Sequence, residues 1–186
     1  MNLDVARSAA PPPPVAEIGT GRLILRALRP ADAPAMAAAA GDRRVAEGTR
    51  SIPHPLPPGA EEGFIAAARA PGRDEDVWAI DCTASGGPGL AGIISLKALG
   101  GGQSQIGYWV APAVWNSGIA SEAVRALVAA NPHRARTLFA EVFQDNPASA
   151  RVLTHAGFDY IGDAEARCLA RGNVTVPTWT YLRPMG

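Results

Sequence analysis

Three apolar runs separated by glycine-rich turns constrain this chain more than any other feature. Val77 to Thr83, Leu90 to Ala98 and Gln105 to Val110 each have the length of a strand. Ser85-Gly86-Gly87-Pro88-Gly89 joins the first two, and Gly100-Gly101-Gly102 precedes the third. Such turns let the backbone reverse sharply, so the runs are expected to form an antiparallel meander. The period then changes. Pro112 stops the third run, and Ile119, Ala123, Ala126, Leu127 and Ala130 recur at nearly helical spacing, which predicts a helix from about Ser117 to Ala130. Thr137 to Phe143 follows as a strand. Asn146 to Phe158 has an asparagine cap, a proline at the first helical position and a stop at Gly157, the marks of a second helix. Phe158 to Gly162 and Val174 to Leu182 read as closing strands.

Upstream of the meander, Arg22 to Leu28 roughly alternates polar and apolar residues and reads as a strand with one buried face. Pro30 to about Ala40 and Pro58 to Ala70 read as helices, the second with Phe64, Ile65 and Ala68 facing inward. Between them the chain is irregular. The resulting order, β-α-α-β-β-β-α-β-α-β-β, predicts a single-domain α/β fold with a mixed central sheet and helices on both faces. Residues 1–19 carry the run Pro11 to Pro14 and are read as a disordered, Pro-rich tail before a domain spanning residues 20–186.

Charge and cysteine usage exclude several classes of function. Seventeen basic residues balance seventeen acidic ones, so nothing favours nucleic acid or an anionic membrane as a partner. Cys82 and Cys168 are far apart, and His54, His133 and His155 show no ligand spacing, so no metal is expected and both thiols are read as reduced. No stretch approaches the roughly 20 apolar residues of a membrane span, and the N-terminus has no secretory pattern. A cytoplasmic monomer or homodimer is expected.

The stretch from Tyr108 to Ala123 carries the most chemistry. A strand enters a short loop, and the loop opens a helix whose unpaired N–H groups and dipole favour an anion. Gly118 would let a bulky anion approach the backbone, and Ser117 and Ser121 offer hydroxyls. The plainer reading is an ordinary helix start capped by Asn116 or Ser117. The segment is neither a G-x-G-x-x-G nor a Walker A sequence, so a dehydrogenase or nucleotide triphosphatase is poorly supported.

Five segments in order resemble the GNAT superfamily, and within it the RimJ/RimL-like N-acetyltransferases. They are Thr20 to Arg26, Ile52-Pro53-His54-Pro55-Leu56, Ile106 to Val110, Trp115 to Ala123, and Asn146-Pro147-Ala148-Ser149 through Gly157-Phe158. The resemblance implies acetyl-CoA as the acetyl donor and an amine as acceptor. It implies a splayed pair of parallel strands, about Gln105–Val110 and Thr137–Phe143, with the pantetheine arm against the first, at Trp109 and Val110. The pyrophosphate would lie on the loop Trp115, Asn116, Ser117, Gly118, Ile119 and Ala120, with Ser121 beside it and Asn146 as a further cofactor contact. The family often has a basic residue where Ser117 stands.

The same resemblance assigns the catalytic parts. Acetyl transfer needs an amine that loses a proton, a polarised thioester carbonyl and a stabilised leaving thiolate. Many relatives carry a tyrosine acid at the position of Leu153, which this chain lacks, whereas RimL-like members place a serine where Ser149 stands. Ser149 is therefore the expected donor to the CoA sulfur. Relatives often have Glu at the position of Gln105, so Glu141 on the next strand is the candidate base, alongside a water relay. Tyr108, Trp78, Trp109 and Trp179 read as sheet aromatics, one or two of them with a site role. Arg43, Arg44 and Arg50 either attract an acidic acceptor or are plain solvated charges, and His54 either walls the acceptor pocket or is, as the better reading, a surface histidine. The competing function is a module that binds acyl-CoA without turnover.

Overall fold

The computed structural model describes residues 15–186. In chain order its elements are β1 (Ile18–Gly19), β2 (Ile24–Ala27), α1 (Ala33–Ala40), α2 (Arg43–Glu47), α3 (Ala60–Ala68), β3 (Glu75–Asp81), β4 (Gly92–Gly100) and β5 (Gln103–Val110). There follow α4 (Ile119–Ala130), β6 (Thr137–Phe143), α5 (Pro147–His155), β7 (Asp159–Cys168) and β8 (Val174–Pro184). One mixed sheet runs β1-β2-β3-β4-β5-β6-β8-β7, antiparallel throughout except where β5 lies parallel to β6.

Most of β3 and the first half of β4 are buried on both faces, which is why those stretches read as nearly continuous apolar runs. Trp78, Ile80, Ile94 and Leu96 point to the face covered by α4 and α5, where Val124, Leu127 and Leu153 meet them. Val77, Ala79 and Ile93 point to the opposite face, against Met36 of α1 and Ile65 of α3. Polar Arg26 lies in this second layer at 4% exposure. Its guanidinium reaches Asp81 at 2.7 Å, Asp32 at 2.8 Å and the Gly89 carbonyl at 2.7 Å, tying β2 to β3 and to the start of α1. Burial alone would raise both carboxyl groups, but the hydrogen bonds and charge of Arg26, joined by the Arg29 N–H at Asp32 and the Thr83 donors at Asp81, together outweigh it and hold them below the usual range.

Strand and helix order follow the sequence pattern, with three differences. Residues 1–14, with the Pro11–Pro14 run, lie outside the described residues, but residues 15–19 of the expected tail make specific contacts. Ile18–Gly19 pairs with β2, and the Ala16 carbonyl accepts from the Trp78 indole at 2.9 Å. The short helix α2 was not expected, because five residues hold too little periodicity to read. Finally β7 runs to Cys168 rather than Gly162, since its outward residues Asp163, Glu165 and Arg167 face solvent or its edge and give no apolar run.

Candidate active site

β5 and β6 are paired only over Gln103–Gln105 and Thr137–Phe139. Beyond that point β6 keeps its ladder with β8, while β5 keeps its ladder with β4. The sheet therefore opens as a V at Ile106 and Ala140. Two cavities, of about 640 and 590 Å³, approach the opening, and Gly48, Thr49, Tyr108 and Trp109 line both.

The larger cavity is framed by the loop after β5. Trp115 folds back so that its indole N–H donates to the Val110 carbonyl at 2.8 Å. Asn116 and Gly118 have φ of 59° and 80°, a left-handed turn that glycine adopts without penalty and that aims the first turn of α4 at the cavity. The helix starts at Ile119, with Gly118 in the cap position rather than Asn116 or Ser117. Its first N–H groups have no partner within the helix and carry the positive end of the dipole, and Ile119, Ala120 and Ser121, which bear them, line the cavity. Glu122, also in that turn, would oppose an anion. Thr20 and the Arg22 guanidinium engage it instead, at 2.5 and 2.6 Å, and hold its carboxyl below the usual range.

Trp109, Val110, Trp115, Asn116, Gly118, Ile119, Ala120, Ser121, Asn146 and Ser149 all line this cavity. Ser117 does not. Its hydroxyl turns away and donates to the Val114 carbonyl at 2.5 Å. A cation absent from the loop arrives from elsewhere. Arg44 of α2 lies over the Trp115 ring, 5.0 Å from its centroid, and lines the cavity while paired to Asp42 at 2.7 Å. Arg44 is on the surface, as its sequence suggests, with its side chain 64% exposed. Nothing local to residue 44 signals a contact made 71 positions away.

Opposite this loop, α5 presents its own N-terminus. The Asn146 side chain accepts from the Ser149 N–H at 3.2 Å, and Pro147 occupies the first position, as the sequence predicts. The Tyr108 hydroxyl crosses from β5 to lie 2.8 Å from the Ser149 hydroxyl and 3.0 Å from the Ser149 carbonyl oxygen. Burial pushes the Tyr108 phenol well above its ordinary range, so it is a neutral donor. Leu153 is fully buried in the core and brings no polar group to the site. Asp145, with its side chain 57% exposed, pairs with Arg171 at 2.5 Å.

The smaller cavity lies on the other face of the sheet, under α3 and the segment 48–56. Its floor includes Ser95, Gln105 and Gly107. Glu141 lines it at the lip of the V, with Arg50 on one carboxylate oxygen at 2.6 Å. Phe64 does not face the core as the helical spacing suggested. It is 41% exposed and forms part of the wall with Ile52 and Leu56. Pro53 lines the cavity and His54 does not. Among the described residues no group of three or more His, Cys, Asp or Glu is placed to hold a metal, and no helix is long and apolar enough to cross a membrane.

A V-shaped opening between parallel strands, flanked by a left-handed glycine turn and a helix N-terminus, is joined by a family match. Residues 22–159 match the model of the acetyltransferase (GNAT) domain. The chain belongs to the GNAT acetyltransferase family. No curated protein sequence matches it. Among solved structures it is similar to a GNAT-family acetyltransferase from Bacillus anthracis, with 21% identity, a TM-score of 0.75, and coverage of 91% of this chain and 99% of the other. It is also similar to RimL, a ribosomal L7/L12 alpha-N-protein acetyltransferase in complex with coenzyme A, with 20% identity, a TM-score of 0.75, and coverage of 91% and 98%. A spermidine N-acetyltransferase from Vibrio cholerae in complex with CoA and spermine gives 14% identity, a TM-score of 0.73, and coverage of 89% and 97%. At these identities the likeness is one of fold.

Proposed function

We propose that this GNAT domain moves an acetyl group from acetyl-CoA directly to a primary amine. The cofactor would enter the larger cavity, with its pyrophosphate on the α4 N-terminus at Gly118 to Ser121, and its pantetheine arm along Trp109 and Val110. The amine would approach through the smaller cavity. The observation that carries this reading is the meeting of the two cavities at the V, where Tyr108 and Trp109 line both. A thioester and an amine entering from opposite faces would be held in reach of each other, and such positioning alone contributes to rate.

Ser149 sits in the first turn of α5, where the helix end favours a developing thiolate and the hydroxyl would donate to it. Glu141 would take the amine proton, directly or through water, with Arg50 fixing its carboxylate. The proton lost by nitrogen balances the one gained by sulfur. We further propose residues 20–186 as the catalytic domain, with 15–19 as its attached edge, acting in the cytoplasm as a monomer or homodimer. The acceptor would be a protein N-terminus or a small-molecule amine, as in the structural neighbours named for those activities.

The buried Leu153 favours one rival, a domain that holds acyl-CoA without turnover. Calorimetry with acetyl-CoA, followed by thiol release against peptides, amino acids and polyamines, separates the two. Binding with turnover is expected. Tight binding without transfer to any amine would leave the rival standing, and no binding would overturn both.

A further inference from the structure

The Tyr108 hydroxyl has one proton and two acceptors within reach, the Ser149 hydroxyl at 2.8 Å and the Ser149 carbonyl at 3.0 Å. Two hydrogen-bond arrangements satisfy these distances. In one, Tyr108 donates to the carbonyl and the Ser149 hydroxyl donates back to Tyr108, so the serine proton is consumed inside the pair. In the other, Tyr108 donates to the Ser149 oxygen, and the serine proton is free to point into the cavity. No heavy atom moves between them, only two hydroxyl rotors.

A thiolate can only accept. As the carbon–sulfur bond breaks and charge collects on sulfur, the second arrangement gains a charge-assisted hydrogen bond and the first gains nothing. A donor behind the serine oxygen also polarises its O–H bond. We propose that Tyr108 is a positioning residue, which anchors the Ser149 oxygen and turns its proton toward the sulfur of the departing CoA. This rests on the acetyl-transfer reading above. Tyr108 keeps its own proton throughout, because its buried phenol is a far weaker acid than a thiol. Both side chains therefore end the cycle as they began.

The pair is missed by sequence reasoning because 41 positions separate its members and Tyr108 looks like any sheet aromatic. It also explains how a GNAT chain with Leu153 in the late helix would still bring a tyrosine hydroxyl within one residue of the sulfur, from β5 instead of α5.

The test needs no acceptor. CoA itself is bound to the parent protein, Tyr108→Phe, Ser149→Ala and the double variant, and the bound thiol is titrated by thiolate ultraviolet absorbance. In the parent, the thiol pKa should fall below that of free CoA. Each single variant should raise it by about one pH unit relative to the parent. The double variant should match Ser149→Ala, since the tyrosine acts only through the serine. A merely structural tyrosine would leave the thiol unmoved, or shift it equally with and without Ser149, and either result overturns the inference alone. Failure of the parent to bind CoA would overturn the acetyl-transfer reading and this inference with it.

Discussion

About half of the lining of the cavity beside α4 and α5 comes from two short stretches of continuous chain, Trp109 to Ser121 and Asn146 to Ser149, which include the N-termini of both helices with their free backbone N–H groups. The cavity beneath α3 is built from side chains brought by separated segments: Arg50, Ile52 and Leu56 from the loop after α2, Phe64 from α3, Gln105 from β5 and Glu141 from β6. Backbone donors do not depend on which residue carries them. Side-chain walls change with every substitution. A fold can therefore keep one donor for many acceptors, holding the first cavity constant while the second is free to vary.

The largest expected effect breaks the backbone side. Gly118 holds φ of 80°, and a Cβ there would lie 3.4 Å from the Arg22 guanidinium. Gly118→Val forces a β-branched residue into that region at a cost of about 1–3 kcal/mol, or relaxes the turn that aims the α4 N–H groups. Acetyl-CoA affinity should fall about a hundredfold by calorimetry, because either outcome is unfavourable where the pyrophosphate would lie. Unchanged affinity would place the phosphate site elsewhere. Next, Ser149→Ala should lower kcat about tenfold while acetyl-CoA still binds, since the charge on sulfur grows mainly in the transition state. An unchanged kcat would leave Ser149 as a helix-start residue only.

The side-chain cavity should respond in the opposite sense. Arg50→Ala releases Glu141 from its 2.6 Å partner. It should raise KM for the amine several-fold, about 1 kcal/mol, while leaving acetyl-CoA affinity unchanged. Equal loss of both would mean that the two cavities are not separate sites. The smallest effect concerns the N-terminus. Removing residues 1–14 should leave stability unchanged, whereas removing 1–19 deletes β1 and the Ala16 carbonyl that satisfies Trp78. The longer deletion should cost about 1–2 kcal/mol in denaturant unfolding. Equal stability of the two truncations would show that the β1 edge is dispensable.

The same contrast explains what could be read from the sequence. The α5 start was legible because Asn146, Pro147 and Gly157 act on the backbone beside them. Strand β6 was legible because Leu138, Ala140 and Val142 recur at every second position and are buried on one face. The start of α4 was misplaced by two residues, since Asn116 and Ser117 are both good caps, and only the left-handed turn decides for Gly118. Phe64 was assigned to the core by spacing alone, which cannot tell a core-facing residue from one that walls a cavity. Arg50 with Glu141, and Tyr108 with Ser149, are separated by 91 and 41 positions. Those pairings are products of topology, and no local pattern records them.

The V has a further consequence. A strand in the middle of an eight-stranded sheet normally has its amides locked on both sides. Past Gln105, β5 is bonded on one side only, and past Phe139, β6 is too. Each is an edge enclosed within the sheet, with backbone groups left for water or a ligand. The gap-facing amides of Ile106–Val110 should exchange with deuterium far sooner than those of β3, which is laddered on both sides. A pantetheine chain lying in the V would take the place of the missing strand. Acetyl-CoA should then slow exchange at those positions most of all, and the protein would complete its sheet only when its substrate arrives.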